Sequence, residues 1–369
     1  MIPKEVFAES IIHFLEPIRA HLEDETVSEV MINGPSLIYV EQRGKLTKTD
    51  TQFPSHEALL SALRNIAQFV GRPFDDQHPI LEGHLPDGSR VEAVLPPVAP
   101  DGPSVAIRRF SKNKLTIQRL VEVGALPEDA AQLLSSLVVC QQNIIVAGGT
   151  GTGKTSMLNA LSSFIPKGDR IVVIEDAREL QLQHEHVVHL EARAPDPRGK
   201  GGVSIRDLFK ASLRLRPDRI VIGEIRSGEA LDLIQAMTSG HGGCLSTVHA
   251  SYPRDAMSRL ETMALMADVE LPLVALRSQL GSGIDIIVQV SRLKDGSRKV
   301  SHISEVRGTD EKGEFVICHL FEGRYLSEGV YRLLPTGGLP RAEPLLTALG
   351  QSLPVSMMAA ATEAARRSA

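Results

Sequence analysis

Helical and strand-like hydrophobic patterns alternate along the first third of the chain. Apolar residues recur at near-helical spacing over residues 1–25, where Pro17 predicts a kink or break, and again over residues 55–70. Residues 42–44 separate two strand-like runs and predict a hairpin turn. The first of these runs is residues 37–40, and further short strands are predicted at residues 89–94 and 104–108. We therefore expect a small α/β domain over residues 1–112.

From about residue 127 the pattern changes to helices that alternate with short apolar runs, as a parallel β-sheet requires. The predicted strands are residues 143–147, 170–174, 187–190, 219–222 and 243–247. Asp295 and Gly296 predict the turn of a further hairpin over residues 284–306. Periodic apolar content fades after residue 335. These patterns predict a second domain over residues 113–335 and a partly flexible tail over residues 336–369.

Composition narrows the classes of function. Hydrophobic residues make up 42% of the chain and charged residues 23%, which is typical of a folded soluble protein. No apolar run approaches the roughly 20 residues that span a bilayer, so we expect a cytoplasmic protein that acts at a membrane only through partners. Cys140, Cys244 and Cys318 are isolated, which argues against a disulfide framework and a four-cysteine zinc site.

Residues 148–155 fit G-x-x-x-x-G-K-[ST], the phosphate-binding P-loop. A predicted strand precedes the motif and good helix formers follow it, which is the strand–loop–helix context that the motif needs. In such a loop the backbone N–H groups surround a polyphosphate, Lys154 reaches the β- and γ-phosphates, and the Thr155 hydroxyl binds Mg²⁺. The predicted nucleotide-binding residues are Gly148, Gly149, Thr150, Gly151, Thr152, Gly153, Lys154, Thr155 and Ser156.

Three other predicted strands lead to polar side chains. One leads to Glu224 and resembles a Walker B element, whose acid helps to hold Mg²⁺, often through water; a solvated strand end is the alternative. A second ends in Glu175 and Asp176, a pair that suits water activation and metal placement, although Asp176 could also cap the following helix. The third ends in His249, which could sense a γ-phosphate, link the nucleotide state to a neighbouring subunit, or have a structural role.

Arginines could complete such a site, because Arg often stabilises the charge on a transferred phosphoryl group. Arg90 and Arg108 lie on predicted strands of the first domain. A further group lies between the two acidic strand ends and consists of Arg193, Arg206, Arg214 and Arg216. Most arginines are solvated surface charges, so the residues alone assign a role to none of these.

The chain resembles the ATPases of type II and type IV secretion and of type IV pili. Four family motifs occur in order: the P-loop at residues 148–155, an acidic box at 174–176, a Walker B box at 216–226 and a His box at 246–250. Among the branches, the chain looks most similar to the CpaF/TadA ATPases of Flp (tight adherence) pili, with VirB11-like ATPases as the nearest alternative. The stretches that favour the first branch are residues 85–91, 107–112, 190–193 and 239–243.

The resemblance implies a fold and a set of roles. The expected fold is α/β, with a RecA-like P-loop ATPase domain preceded by a smaller PAS-like N-terminal domain. Glu175 is then the expected water-activating acid, Glu224 the Walker B acid that shares Mg²⁺ with Thr155, and His249 the His-box residue. Arg90 and Arg108 would reach the phosphates from the N-terminal domain. Weaker candidates for the same work are Arg193, Arg206 and Arg214.

The resemblance also implies partners. We expect a homohexamer that hydrolyses ATP in the cytoplasm, at the inner membrane, and contacts a platform protein of a pilus or secretion machine that handles pilin-like cargo. The function expected first is Flp or type IV-like pilus assembly or secretion, and the alternative is a VirB11-like ATPase of type IV secretion or conjugation. A nucleic-acid motor is disfavoured, because net charge is −5, aromatic residues are 4% and Trp is absent. A regulator without mechanical output is disfavoured because the predicted catalytic acids are all present.

Overall fold

The computed structural model describes residues 4–110, 115–195, 199–267, 269–327 and 329–368. The chain divides into two compact units, Met1–Asn113 and Lys114–Ala369. Each unit has its own hydrophobic core. None of the described helices is both long enough and apolar enough to cross a membrane.

The first unit is an antiparallel sheet packed with helices. Its elements are α1 Lys4–Phe14, α2 Glu16–Glu23, β1 Val27–Asn33, β2 Ile38–Gln42, β3 Lys45–Lys48, α3 His56–Val70, β4 Ile80–His84, β5 Arg90–Val94 and β6 Ser104–Arg108. The strand order is β3-β2-β1-β6-β5-β4, and neighbouring strands run antiparallel. Leu59, Leu63 and Ile66 of α3 are buried in the core of this unit.

Local chemistry explains most of these boundaries. Pro17 lies in the first turn of α2, where its missing N–H costs no helical hydrogen bond, so the N-terminal pattern forms two helices. Ser55 caps α3 by accepting a hydrogen bond from Ala58 N, and Gly71 ends the helix in the left-handed conformation. The pattern does not predict β1, because a bulge after Val27 interrupts the alternation of buried and exposed positions.

The second unit contains a nine-stranded mixed sheet. Its elements up to the sheet centre are α4 Ile117–Glu122, α5 Glu128–Val139, β7 Ile144–Gly148, α6 Lys154–Ser162, β8 Ile171–Glu175, β9 Val187–Glu191, α7 Ile205–Ser212, β10 Arg219–Ile222, α8 Glu229–Thr238 and β11 Leu245–His249. They are followed by α9 Pro253–Leu265, α10 Leu273–Gly283, β12 Ile286–Arg292, β13 Arg298–Thr309, β14 Phe315–Ser327, β15 Val330–Pro335, α11 Glu343–Ala348 and α12 Val355–Ser368.

The strand order of this sheet is β15-β14-β13-β12-β7-β11-β10-β8-β9. The six strands from β12 to β9 in that order are parallel, and β12 to β15 form an antiparallel meander. Every residue of β7 and β8 is buried, because separate hydrophobic clusters cover the two faces of the sheet. This explains why the sequence shows continuous apolar runs there. The P-loop strand β7 lies inside the sheet, between β12 and β11.

The C-terminal part of the unit contains two strands and two helices in addition to the predicted hairpin. The hairpin predicted around Asp295 and Gly296 is present as β12 and β13, but β14 and β15 extend it. The segment expected to be a partly flexible tail forms α11 and α12 within the second unit. Leu346 and Met357 are buried there, at 1% and 0% exposure. Two isolated apolar anchors give no periodic pattern, which is why the sequence shows only a fading signal.

Candidate active site

The predicted P-loop joins β7 to α6. Gly151 and Gly153 have positive φ angles of 69° and 95°, a region that favours glycine. A Cβ on Gly148 would lie 2.4 Å from Thr152 Oγ1 and 2.7 Å from Val290 O, so only glycine fits there. Thr152 Oγ1 donates a hydrogen bond to Gly149 O at 2.9 Å and holds the loop closed on itself.

Lys154 begins α6 and is 8% exposed. Its Nζ donates to Gly149 O at 3.1 Å. The same Nζ lies 3.2 Å from His249 Nε2 and 3.4 Å from His249 Nδ1, so the ammonium sits between the two ring nitrogens and not in line with one lone pair. A buried ammonium beside the N-terminus of a helix is an arrangement that favours a polyphosphate anion.

Glu224 follows β10 and contacts the same histidine. Its Oε1 lies 2.6 Å from His249 Nε2, and its Oε2 accepts a hydrogen bond from Arg226 Nε at 2.7 Å. Burial and the Lys154 charge lower the pKa of His249, although Glu224 acts in the opposite direction. The lowered pKa favours a neutral ring, which donates its Nε2–H to the Glu224 carboxylate. The structure thus brings together residues of the P-loop, the Walker B box and the His box.

Glu175 ends β8 and is buried, at 4% exposure. Its Oε1 accepts hydrogen bonds from the backbone N–H groups of Glu179 and Leu180, at 2.9 and 2.8 Å. Burial raises the pKa of Glu175 to about 7, although the two backbone N–H groups act in the opposite direction. One carboxylate oxygen of Glu175 therefore organises the loop that follows β8.

Glu179 is a site residue that the sequence analysis missed. The hydroxyl of Thr155 donates to Glu179 Oε2 at 3.4 Å, so the loop held by Glu175 reaches the P-loop threonine. The signal that could have found it is the acid four residues after Glu175 in Glu175-Asp176-x-x-Glu179.

Arg226 is a second residue without a predicted role. It is half-exposed and joins the two acidic boxes, because its Nη1 donates to Asp176 Oδ2 at 2.8 Å while its Nε donates to Glu224. Asp176 therefore accepts an arginine and is not a helix cap, since the structure places no helix directly after β8.

The other predicted arginines are distributed over both units. Arg90 on β5 and Arg108 on β6 are direct cross-strand neighbours in the first unit, and Arg90 pairs with Glu82. In the second unit Arg206 pairs with Asp232 at 2.6 Å, and Arg193 Nε donates to Gly201 O at 2.7 Å. Arg214 is exposed. Arg193 and Arg206 therefore both have partners within the second unit.

The donor set around the P-loop fits Mg²⁺ bound with a nucleotide. Thr155 supplies a hydroxyl, and Glu179 and Glu224 supply carboxylates. Mg²⁺ is commonly held by one or two protein oxygens together with substrate phosphates and waters, so a dedicated protein cage is not required. In the described ranges no group of three or more His, Cys, Asp or Glu side chains could hold a metal ion alone.

Comparison with known proteins extends these observations. Residues 14–327 match the family model described as "Type II/IV secretion system protein". The conjugal transfer protein TrbB of Rhizobium radiobacter is 32% identical over 300 residues, covering 79% of this chain and 88% of TrbB. The type IV secretion system protein VirB11 of Brucella suis is 33% identical over 330 residues, covering 81% of this chain and 90% of VirB11.

A solved structure shows the same fold. The Legionella pneumophila ATPase DotB matches with a TM-score of 0.54 and 17% identity, covering 96% of this chain and 88% of DotB. The predicted fold class, α/β with a RecA-like P-loop domain after a smaller α/β domain, is confirmed by this match and by the family match. The curated relatives favour the VirB11-like alternative over the Flp-pilus branch that the sequence analysis placed first, and closeness to CpaF/TadA stays a prediction.

Proposed function

Because this chain belongs to the family of type II/IV secretion system proteins, we propose that it hydrolyses ATP to drive a VirB11-like type IV secretion or conjugation machine. The observation that carries the proposal is the cluster of Lys154, Glu224 and His249, in which three separate family motifs meet within hydrogen-bonding distance. A fold alone would not require this meeting.

In this function Lys154, the P-loop N–H groups and the N-terminus of α6 bind the β- and γ-phosphates. Thr155 and Glu224, partly through water, would hold Mg²⁺, which neutralises charge on the phosphates when it is bound. His249 lies beside both Lys154 and Glu224, which supports a role in responding to the state of the γ-phosphate.

Glu175 is proposed as the acid that orients and activates water. A pKa near 7 suits a general base at neutral pH, and its Oε2 is the oxygen not used by the backbone bonds of Oε1. Replacing Glu175 by Gln should preserve ATP binding and abolish turnover. Full turnover by that variant would move the role to Glu224, the acid of the cluster.

Assembly and partners are proposed from the family. Six copies would form a ring, and Arg90 and Arg108 would supply positive charge to the phosphates from the first unit. The ring would act in the cytoplasm on a platform protein of the inner membrane, with pilin-like or effector cargo handled indirectly and without nucleic acid.

The test is the ATPase rate measured against protein concentration, with the assembly state followed by light scattering, for the wild type and Lys154→Ala. Activity that grows with a six-subunit species and is lost in the variant would support the proposal. Rapid turnover by a stable monomer would contradict the ring, and equal rates for both proteins would contradict the site.

A further inference from the structure

Gln289 lies in the middle of β12 and is almost fully buried, at 1% exposure. In the sheet it is directly opposite Ala147 of β7, the residue before the first P-loop glycine. Directly paired residues of neighbouring strands project from the same face of a sheet. The Gln289 side chain therefore begins next to Ala147, the strand residue that precedes the P-loop.

The side chain crosses the P-loop strand. Its Nε2 donates a hydrogen bond to Ala250 O at 3.0 Å, and Ala250 follows the last residue of β11, the strand on the far side of β7. Ala147, on the strand between the two, has a small side chain. Only the amide nitrogen can donate to a carbonyl oxygen, so this contact fixes the orientation of the amide.

The other end of the amide is unsatisfied. Gln289 Oε1 is buried and has no hydrogen-bond partner in the part of the chain that the structure describes. A buried acceptor without a partner lowers stability, and an apolar side chain of similar length would avoid this cost. Packing of the core therefore does not explain why an amide occupies this position. A buried polar atom without a hydrogen-bond partner calls for a functional reason.

The contact with Ala250 is one of three hydrogen bonds that hold the end of β11 next to His249. On the β10 side, Thr247 Oγ1 donates to Gly223 O at 2.7 Å, one residue before Glu224. At the P-loop, Ala250 N donates to Gly148 O at 3.3 Å. The hydrogen bond from Gln289 connects Ala250 to β12, so the end of β11 is held from the β10 side and from the β12 side.

We infer that Gln289 is a positioning residue for the reaction: it fixes the end of β11 and thereby holds His249 against Glu224 and Lys154. The inference rests on the proposed ATPase function and adds a residue outside the four family motifs. Its consequence is specific, because loss of the amide should misplace His249 while the P-loop continues to bind nucleotide.

The test compares Gln289→Met with Ser291→Ala. Methionine keeps the length of the side chain and removes both the donor and the unsatisfied acceptor. Ser291 is a matched control on the same strand, because its hydroxyl lies 3.1 Å from Ser301 Oγ, on β13. We expect Gln289→Met to lower kcat by about tenfold to a hundredfold, with nucleotide affinity and KM unchanged. The melting temperature should stay close to that of the wild type, because the loss of the donor to Ala250 O is offset by removal of the unsatisfied acceptor. Ser291→Ala should retain the wild-type kcat.

A double-mutant cycle with His249→Ala decides whether Gln289 acts through the histidine. If it does, Gln289→Met causes no further loss of kcat in the His249→Ala background. A wild-type kcat in Gln289→Met, a fully additive loss in the double variant, or a loss that follows a lower melting temperature would each overturn the inference. If the wild type itself is no more active than Lys154→Ala, the proposed function fails first, which is a distinguishable result.

Discussion

Glu224 Oε1 lies 2.6 Å from His249 Nε2, so the acid that follows β10 and the histidine that ends β11 form a hydrogen-bonded pair beside Lys154. Neither residue is close to the other in the sequence, and parallel pairing of β10 with β11 brings them to the same edge of the sheet. The Glu224 carboxylate therefore contacts the histidine and, in the proposed reaction, also helps to hold the Mg²⁺ that is bound with the nucleotide.

Replacing Glu224 by Gln removes the charge of this carboxylate. The amide oxygen of glutamine can keep the contact with the His249 ring, while the amide nitrogen cannot accept the hydrogen bond of Arg226 Nε. We expect ATP to bind and turnover to fall by about 10²–10⁴, with a weaker response to Mg²⁺. ATPase rates measured across a Mg²⁺ titration check this, with exposed Glu270→Gln as the control. Unchanged rates in Glu224→Gln would contradict a role for its charge.

Glu175 makes stability depend on pH. Its folded pKa of about 7 is above the ordinary value of 4.5, so the folded state holds the proton more tightly and stability falls as pH rises from about 4.5 to 7. Glu175→Gln should therefore be more stable than the wild type at pH 8, by up to about 3 kcal/mol at 1.36 kcal/mol per pKa unit, and nearly equal at pH 5.

Chemical denaturation at the two pH values measures this difference. The exposed Glu185→Gln is the control and should match the wild type at both. A stability gain for Glu175→Gln that is the same at pH 5 and pH 8 would show that the buried carboxyl does not titrate between them.

Arg226 should matter for turnover more than for stability. It is half-exposed, and an exposed ion pair contributes about 0–1 kcal/mol, but it joins Asp176 to Glu224. Arg226→Ala should free Glu224 to move and lower kcat by about tenfold, with nucleotide still bound. Arg324→Ala is the matched control, because Arg324 pairs with Glu322 on its own strand. Equal kcat values for the two variants would show that the link between the acidic boxes has no catalytic effect.

Gly148 should tolerate no side chain. The Cβ of Gly148→Ala would lie 2.4 Å from Thr152 Oγ1 and 2.7 Å from Val290 O, so the loop must shift. We expect a loss of about 1–3 kcal/mol of stability together with weaker ATP binding. Gly168→Ala adds a Cβ where no atom lies within 4 Å and should change neither quantity. Isothermal titration and thermal melting on both variants compare these outcomes, and wild-type ATP affinity in Gly148→Ala would contradict the packing argument.

The local motifs could be predicted from the sequence, because their chemistry is set by residues next to one another. The P-loop is an example: its glycines, Lys154 and Thr155 lie in one loop, and the flanking strand and helix are strongly patterned. The contacts of Arg226 and Gln289 could not, since each depends on which strands become neighbours in the sheet. The sheet order separates β7 from β8 by two later strands, an arrangement that hydrophobic periodicity does not encode.

Ala147 has no polar side-chain atom, yet its size sets what can occupy position 289. A larger side chain at position 147 would compete for the space through which the Gln289 side chain reaches Ala250 O. A larger residue at position 147 should therefore weaken the hydrogen bond between Gln289 and Ala250 O. The proposed turnover could then be lowered by a substitution at an alanine, with every group proposed to meet the nucleotide unchanged.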